Sequence, residues 1–207
     1  MDAALILHGL GSSSEGRKVN LIKKKLNMES FTPDFPQHGK NEKEFCISLI
    51  IKEMDNIILK MKDFDKRYLI GRSFGGYISL LILKRYPHFF RKICLLSPAI
   101  NMEDAMQNMI NEGYIANDFK LGEKQLVPPD YFKFYDKQIL GINSHLPVLI
   151  LQGNQDNITK PAFLNDFLRE KPNFKLKTFD VNHDYGENEE KILNLAKDFI
   201  LKDSIGL

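Results

Sequence analysis

The chain alternates short, unbroken apolar runs with longer stretches in which apolar residues recur at helical spacing. Ala3–Leu7 is apolar throughout and is closed by Gly9, Gly11 and Ser12. A run of that length with turn residues behind it predicts a buried strand. Arg17–Leu26 predicts a helix, and residues 30–32 a short strand ended by Pro33 and Pro36. Between residues 41 and 62, Phe45, Leu49, Ile50, Met54, Ile57, Ile58 and Met61 fall at helical spacing. A strand at 68–70, a glycine-rich turn and a helix at 77–85 follow, the helix stopping before Pro87. The remaining strands are expected at Lys92–Leu96, 148–151 and 176–180. The remaining helices are expected at 161–169, with Pro161 early in the helix, and at 187–201, with acidic residues in its first turn.

Strands alternating with helices predict an α/β fold: a parallel sheet of about six strands with helices on both faces. The apolar runs lack a polar alternation, as strands buried on both sides should. Residues 101–140 break the rhythm. They carry Met102, Met106, Met109, Tyr114, Phe119, Tyr131, Phe132, Phe134 and Tyr135. A small helical cap or lid over a site would account for an insertion of this length, and so would an ordinary packed helical excursion. The expected organisation is a single domain over residues 1–207 with 101–140 as the insertion.

Length supports that view, since 207 residues with 43% hydrophobic content suffice for a core yet are few for two domains. Lys and Arg number 29 against 27 Asp and Glu, a net charge of +2. Such balance gives no broad field for nucleic acid or anionic lipid. Lys23, Lys24 and Lys25 read as a solvated helix face. The only cysteines, Cys46 and Cys94, match no zinc or CxxC spacing and read as two buried thiols in a reducing compartment. The N-terminal apolar run is too short for a signal peptide, and no run approaches the ~18 residues of a membrane span. A cytoplasmic protein is the expectation. The five histidines are scattered without HxxxH or HxH spacing, so no metal is expected. No GxGxxG or Walker pattern occurs, so no nucleotide cofactor is expected either.

One segment changes the picture. Gly71-Arg72-Ser73-Phe74-Gly75 lies between an expected strand and an expected helix, the context of a nucleophile elbow. There a sharp turn lifts a serine hydroxyl clear of the sheet, and its neighbours must be small. A serine hydroxyl needs a base, and the base needs an orienting group. Asp156 follows the strand at 148–151, and His183 follows the strand at 176–180. Ends of parallel strands share one edge, where open α/β sheets place their sites. Asp180 and Asp184 compete for the acid's role. Asp184 directly follows His183, a poor position from which to orient it, and Asp180 belongs to the last strand. His38, His88 and His145 read as structural or solvated. Backbone N–H groups of Phe74 and Leu10, after the nucleophile and after the first strand, can receive an oxyanion. His8 then anchors the Gly9-Leu10-Gly11 loop by hydrogen bonding.

Leu7-His8-Gly9-Leu10-Gly11, Gly71-Arg72-Ser73-Phe74-Gly75-Gly76, Gly153-Asn154-Gln155-Asp156 and Asn182-His183 together resemble the α/β-hydrolase superfamily. The segment from Pro33 to Gly39, ending in a histidine–glycine pair, looks like its counterpart in many members. The first of these motifs, with Ser12-Ser13-Ser14 and the lysine-rich helix behind it, is similar to small bacterial esterases of the YqiA type. The resemblance implies a minimal α/β-hydrolase fold beginning at the family's third strand. It also implies a triad of Ser73, Asp156 and His183, oxyanion donors at Leu10 and Phe74, and cofactor-free cleavage of a carboxylic ester or thioester. A peptidase or amidase with the same triad stays open, as does a small-ligand-binding protein on the same fold. The expected partner is a small acyl ester or thioester, with no nucleic acid; aromatic residues of the insertion could serve a homodimer.

Overall fold

The computed structural model describes residues 1–114, 120–121, 124–125 and 127–202. In chain order the elements are β1 (Ala3–Leu7), α1 (Arg17–Leu26), β2 (Glu29–Phe31), α2 (Ile47–Met61), β3 (Arg67–Arg72), α3 (Phe74–Arg85) and β4 (Lys92–Leu96). Then come α4 (Met102–Asn111), β5 (Lys120–Leu121), β6 (Lys124–Gln125), α5 (Lys133–Leu140), β7 (Val148–Gly153), α6 (Ala162–Leu168), β8 (Phe174–Phe179) and α7 (Glu189–Leu201). Six strands form one sheet in the order β2-β1-β3-β4-β7-β8, every neighbour parallel. Strands β5 and β6 make a separate antiparallel pair.

Burial on both faces explains why the central strands are apolar along most of their length. Leu5, Leu7, Leu69, Ile93, Leu95 and Ile150 face a cluster built with α2 to α6. Ile6, Ile70, Cys94, Leu96, Leu149 and Leu151 face the opposite cluster, built with α1 and α7. Truncating one such residue to alanine typically costs about 2–5 kcal/mol. The edge strand β8 departs from the expected unbroken run. Lys175, Lys177 and Thr178 are exposed, on a strand at the edge of the sheet. Lys92 is buried at the start of β4, and its ammonium donates to Phe199 O (2.7 Å) near the end of α7.

The pattern at 41–62 predicts a helix longer than the one that forms: α2 starts at Ile47. Phe45 instead leaves helical register to sit between Phe74 (5.7 Å) and Phe132 (6.4 Å). The interval 101–140 holds α4, a 3-10 turn at Pro129–Phe132 and α5. Asp136 of α5 accepts the Met102 and Glu103 N–H groups (both 3.1 Å), so α5 caps the start of α4. Tyr114 and Phe134 are exposed; Phe119 lies outside the described residues. Among the described residues no helix is long and apolar enough to cross a membrane.

Register fixes where the strands end. Leu7 lies opposite Gly71, Arg72 opposite Leu96, Leu96 opposite Leu151, and Gly153 opposite Phe179. The loops after β1, β3, β4, β7 and β8 therefore open on one edge. Between β1 and β3 the chain reverses direction across the sheet, since β2 lies on the far side of β1. That switch point is where such sheets open a crevice.

Candidate active site

Ser73 occupies the turn between β3 and α3 at φ 51°, ψ −115°. A non-glycine residue in that region stores strain on the order of 1–3 kcal/mol, held by its surroundings. The Ser73 N–H donates to Leu96 O (2.9 Å), and its carbonyl accepts from Gly76, Tyr77 and Ala99. Gly75 allows the close approach, because a Cβ there would strike the carbonyls of Leu7 and His8. A Cβ on Gly9 would lie 3.4 Å from Ser73 Cβ. The first loop and the elbow thus touch.

His183 and Asp156 converge on Ser73. His183 Nε2 lies 3.1 Å from Ser73 Oγ, and Nδ1 lies 2.8 Å from Asp156 Oδ2. With the carboxylate accepting from Nδ1–H, Nε2 carries the lone pair and accepts the Ser73 hydroxyl proton. Asp156 is 2% exposed. Its Oδ1 accepts the N–H groups of Ile158 and Thr159 (both 2.9 Å). Its Oδ2 accepts from Thr159 Oγ1 (2.7 Å) and Gln152 Nε2 (2.9 Å) besides His183. Burial pushes this carboxyl's pKa up. His183 and the Thr159 hydrogen bonds together outweigh burial and hold it below the usual value.

Gln152 and Thr159 are the residues that sequence reasoning missed. Thr159 Oγ1 also approaches Ser97 O (3.3 Å) and His183 Nδ1 (3.4 Å), and Gln152 Nε2 reaches Thr159 O (3.0 Å). Gln152 left a trace: a fully buried amide ending the apolar run of β7, four residues before Asp156.

The competing residues fall elsewhere. His88 and His145 are exposed. His38 is buried, its Nδ1 2.8 Å from Pro36 O. Asp180 lies just beyond β8 and accepts from Gln155 Nε2 (2.6 Å). Asp184 accepts from Lys18 and Arg72. His8 donates from Nδ1 to Gly9 O (2.8 Å) and accepts the Phe35 N–H at Nε2 (3.2 Å). Burial pushes its pKa down to about 4, so a neutral imidazole braces the first loop. Phe74 opens α3, so its N–H belongs to the first turn, where intrahelical acceptors are lacking. Leu10 is half-buried in the turn after β1. Among the described residues no group of three or more His, Cys, Asp or Glu side chains could hold a metal ion.

Comparison with known proteins bears on the fold. A model of the alpha/beta hydrolase fold matches residues 3–126. The chain belongs to that family. Over 99 residues, 45% of this chain, it is 32% identical to a Mycoplasma genitalium protein named as an esterase/lipase. The match spans only 37% of that relative's length. Among solved structures, Est1E of Butyrivibrio proteoclasticus with bound ferulic acid superposes at a TM-score of 0.78 and 20% identity, covering 97% of this chain and 88% of that one. A Paleococcus ferrophilus monoacylglycerol lipase superposes at 0.73 and 17% identity, covering 98% and 95%. At such identities the likeness is one of fold, shared by this hydrolase-family chain along nearly its whole length.

Proposed function

We propose that this chain is a serine hydrolase that cleaves a carboxylic ester or thioester through an acyl-enzyme. The observation that carries the reading is the continuous relay from Ser73 Oγ through His183 to Asp156, at 3.1 and 2.8 Å. His183 Nε2 takes the hydroxyl proton as Ser73 Oγ attacks the acyl carbon. Asp156 stabilises the imidazolium and holds its orientation. The Leu10 and Phe74 N–H groups receive the oxyanion. His183 then gives its proton to the departing alcohol or thiol, and the leaving-group bond breaks. A water, deprotonated by His183, attacks the acyl-enzyme; the tetrahedral intermediate collapses to the free acid, and Ser73 Oγ regains its proton. Esterase and lipase names among the relatives support an ester as the bond cleaved. Cys94 is buried as expected while Cys46 is only half-buried, and the two free thiols support a reducing compartment such as the cytoplasm.

The test combines a fluorophosphonate probe with matched p-nitrophenyl ester, thioester and anilide substrates. The expected adduct maps to Ser73, and ester turnover falls on the order of a millionfold in Ser73→Ala. Unchanged turnover in that variant would remove Ser73 as nucleophile. A strong preference for the anilide would replace the esterase reading with an amidase.

A further inference from the structure

The residues adjoining the nucleophile and the base are themselves bonded. Arg72 precedes Ser73, and Asp184 follows His183. Arg72 Nη2 donates to Asp184 Oδ1 at 2.6 Å and reaches towards His183 O at 3.5 Å. Lys18 of α1 donates to the same Oδ1 (2.7 Å) and to the Asp184 carbonyl (3.1 Å). Arg72 is mostly buried, its side chain 15% exposed, whereas the Asp184 side chain is 64% exposed. The guanidinium also abuts the first loop, with Nη1 3.1 Å from where a Gly9 Cβ would stand. One side chain therefore touches three strand ends: the elbow it belongs to, the loop after β1 and the loop after β8.

We propose that Arg72 and Asp184 are a positioning pair that holds His183 over Ser73 and balances the charge around its imidazole. The proposal rests on the triad reading above and extends it to two residues outside the triad. Tyr185 supplies a further attachment of the loop, donating to Leu151 O (2.9 Å) and accepting from Ser97 Oγ (3.1 Å) beneath it. That contact fixes the loop's depth, and the Arg72–Asp184 pair fixes its lateral position. Charge acts on the base independently of position. Arg72 and Lys18 are cations beside a base that becomes a cation during turnover, and unopposed they would disfavour the imidazolium. Asp184 opposes both, and its own pKa is held down by them despite partial burial. The other charged groups around the loop are Asp156 behind the ring, Asp180 on the loop, and Glu189 of α7. Glu189 lies 3.6 Å from Lys18 and is held by Arg17.

The two halves of the pair should therefore act in opposite directions on pH dependence, which a purely structural contact would not do. The experiment follows the rate of fluorophosphonate labelling of Ser73 against pH at low ionic strength. The proteins are wild type, Asp184→Asn, Arg72→Met and the double variant. The acid limb reports protonation of His183. It should move down by about half a pH unit in Asp184→Asn and up by a similar amount in Arg72→Met. The double variant should return towards wild type. The plateau rate should fall about tenfold in Arg72→Met as the loop loosens. Lys18→Gln, in α1, carries the test if either variant of the pair fails to fold: its limb should move up, by less. Limbs that stay at the wild-type position, or move in the same direction in both folded single variants, overturn the proposal while leaving the triad intact. Failure of the wild type to label at Ser73 would instead overturn the triad reading itself, and the positioning pair with it.

Discussion

Two carboxylates flank His183, and they are built in opposite ways. Asp156 is 2% exposed and surrounded by neutral donors: two backbone N–H groups, a threonine hydroxyl and a glutamine amide. Asp184 is largely exposed and meets two cations. Both are held below the ordinary carboxylate pKa, but through different physics. In the buried site every hydrogen bond acts in a weakly screened environment and geometry is fixed. In the exposed site charge acts through partly screened space, and salt weakens it. A carboxylate that must orient a ring belongs in the first environment. One that trims the field around the ring can occupy the second.

The comparison is tested most severely at Asp156. Asp156→Asn should keep the fold and lower kcat by about 10⁴-fold, because the amide favours the wrong imidazole tautomer. Asp184→Asn should cost less than about tenfold at the pH optimum. Steady-state kinetics on one ester compare the two directly, and equal losses would erase the distinction drawn between them.

His8 sharpens the comparison as a buried imidazole held by backbone groups alone. Its pKa is pushed down to about 4 from 6.5. The unfolded chain therefore binds a proton near pH 6.5 that the folded chain refuses until about pH 4. Stability should be unaffected by His8 above pH 6.5, fall by about 3 kcal/mol as pH drops across that interval, and level off below it. Urea unfolding from pH 7.5 to 4 should show a flatter stability curve in His8→Gln. Parallel curves would show that His8 is not the group titrating.

A smaller effect on stability is expected at Thr159. Thr159→Val keeps the shape but removes the 2.7 Å donor to Asp156. It should cost about 1–2 kcal/mol of stability and reduce kcat about tenfold with little change in KM. Denaturant midpoints and initial rates measure both. A stability loss without a kinetic one would make Thr159 a packing residue.

Much of this was legible before any coordinates. Ala3–Leu7, Arg17–Leu26 and Lys92–Leu96 match the elements that form, because burial on both faces and a clean amphipathic stripe leave strong one-dimensional patterns. The convergence of Ser73, Asp156 and His183 was legible because the ends of strands in a parallel sheet share an edge. What the pattern could not carry was tertiary competition. Phe45 fits a helical face and is drawn instead into the cluster of Phe74 and Phe132. Leu176 looks like a strand start, yet β8 begins at Phe174 through pairing with β7. Gln152, Thr159 and Arg72 are short-range neighbours of obvious residues. Their roles depend on where a polar side chain points, which periodicity does not encode.

The conformation of Ser73 has a consequence for how the molecule fails. Its backbone is strained and is kept in place by contacts from β1, β4 and the carbonyls around Gly75. Strain of this kind lowers the free energy of local opening relative to global unfolding. The elbow is thus a place where local opening would release stored strain. Opening of the elbow and global unfolding would then be separate thermodynamic events. The chain would spend part of its decline folded but idle.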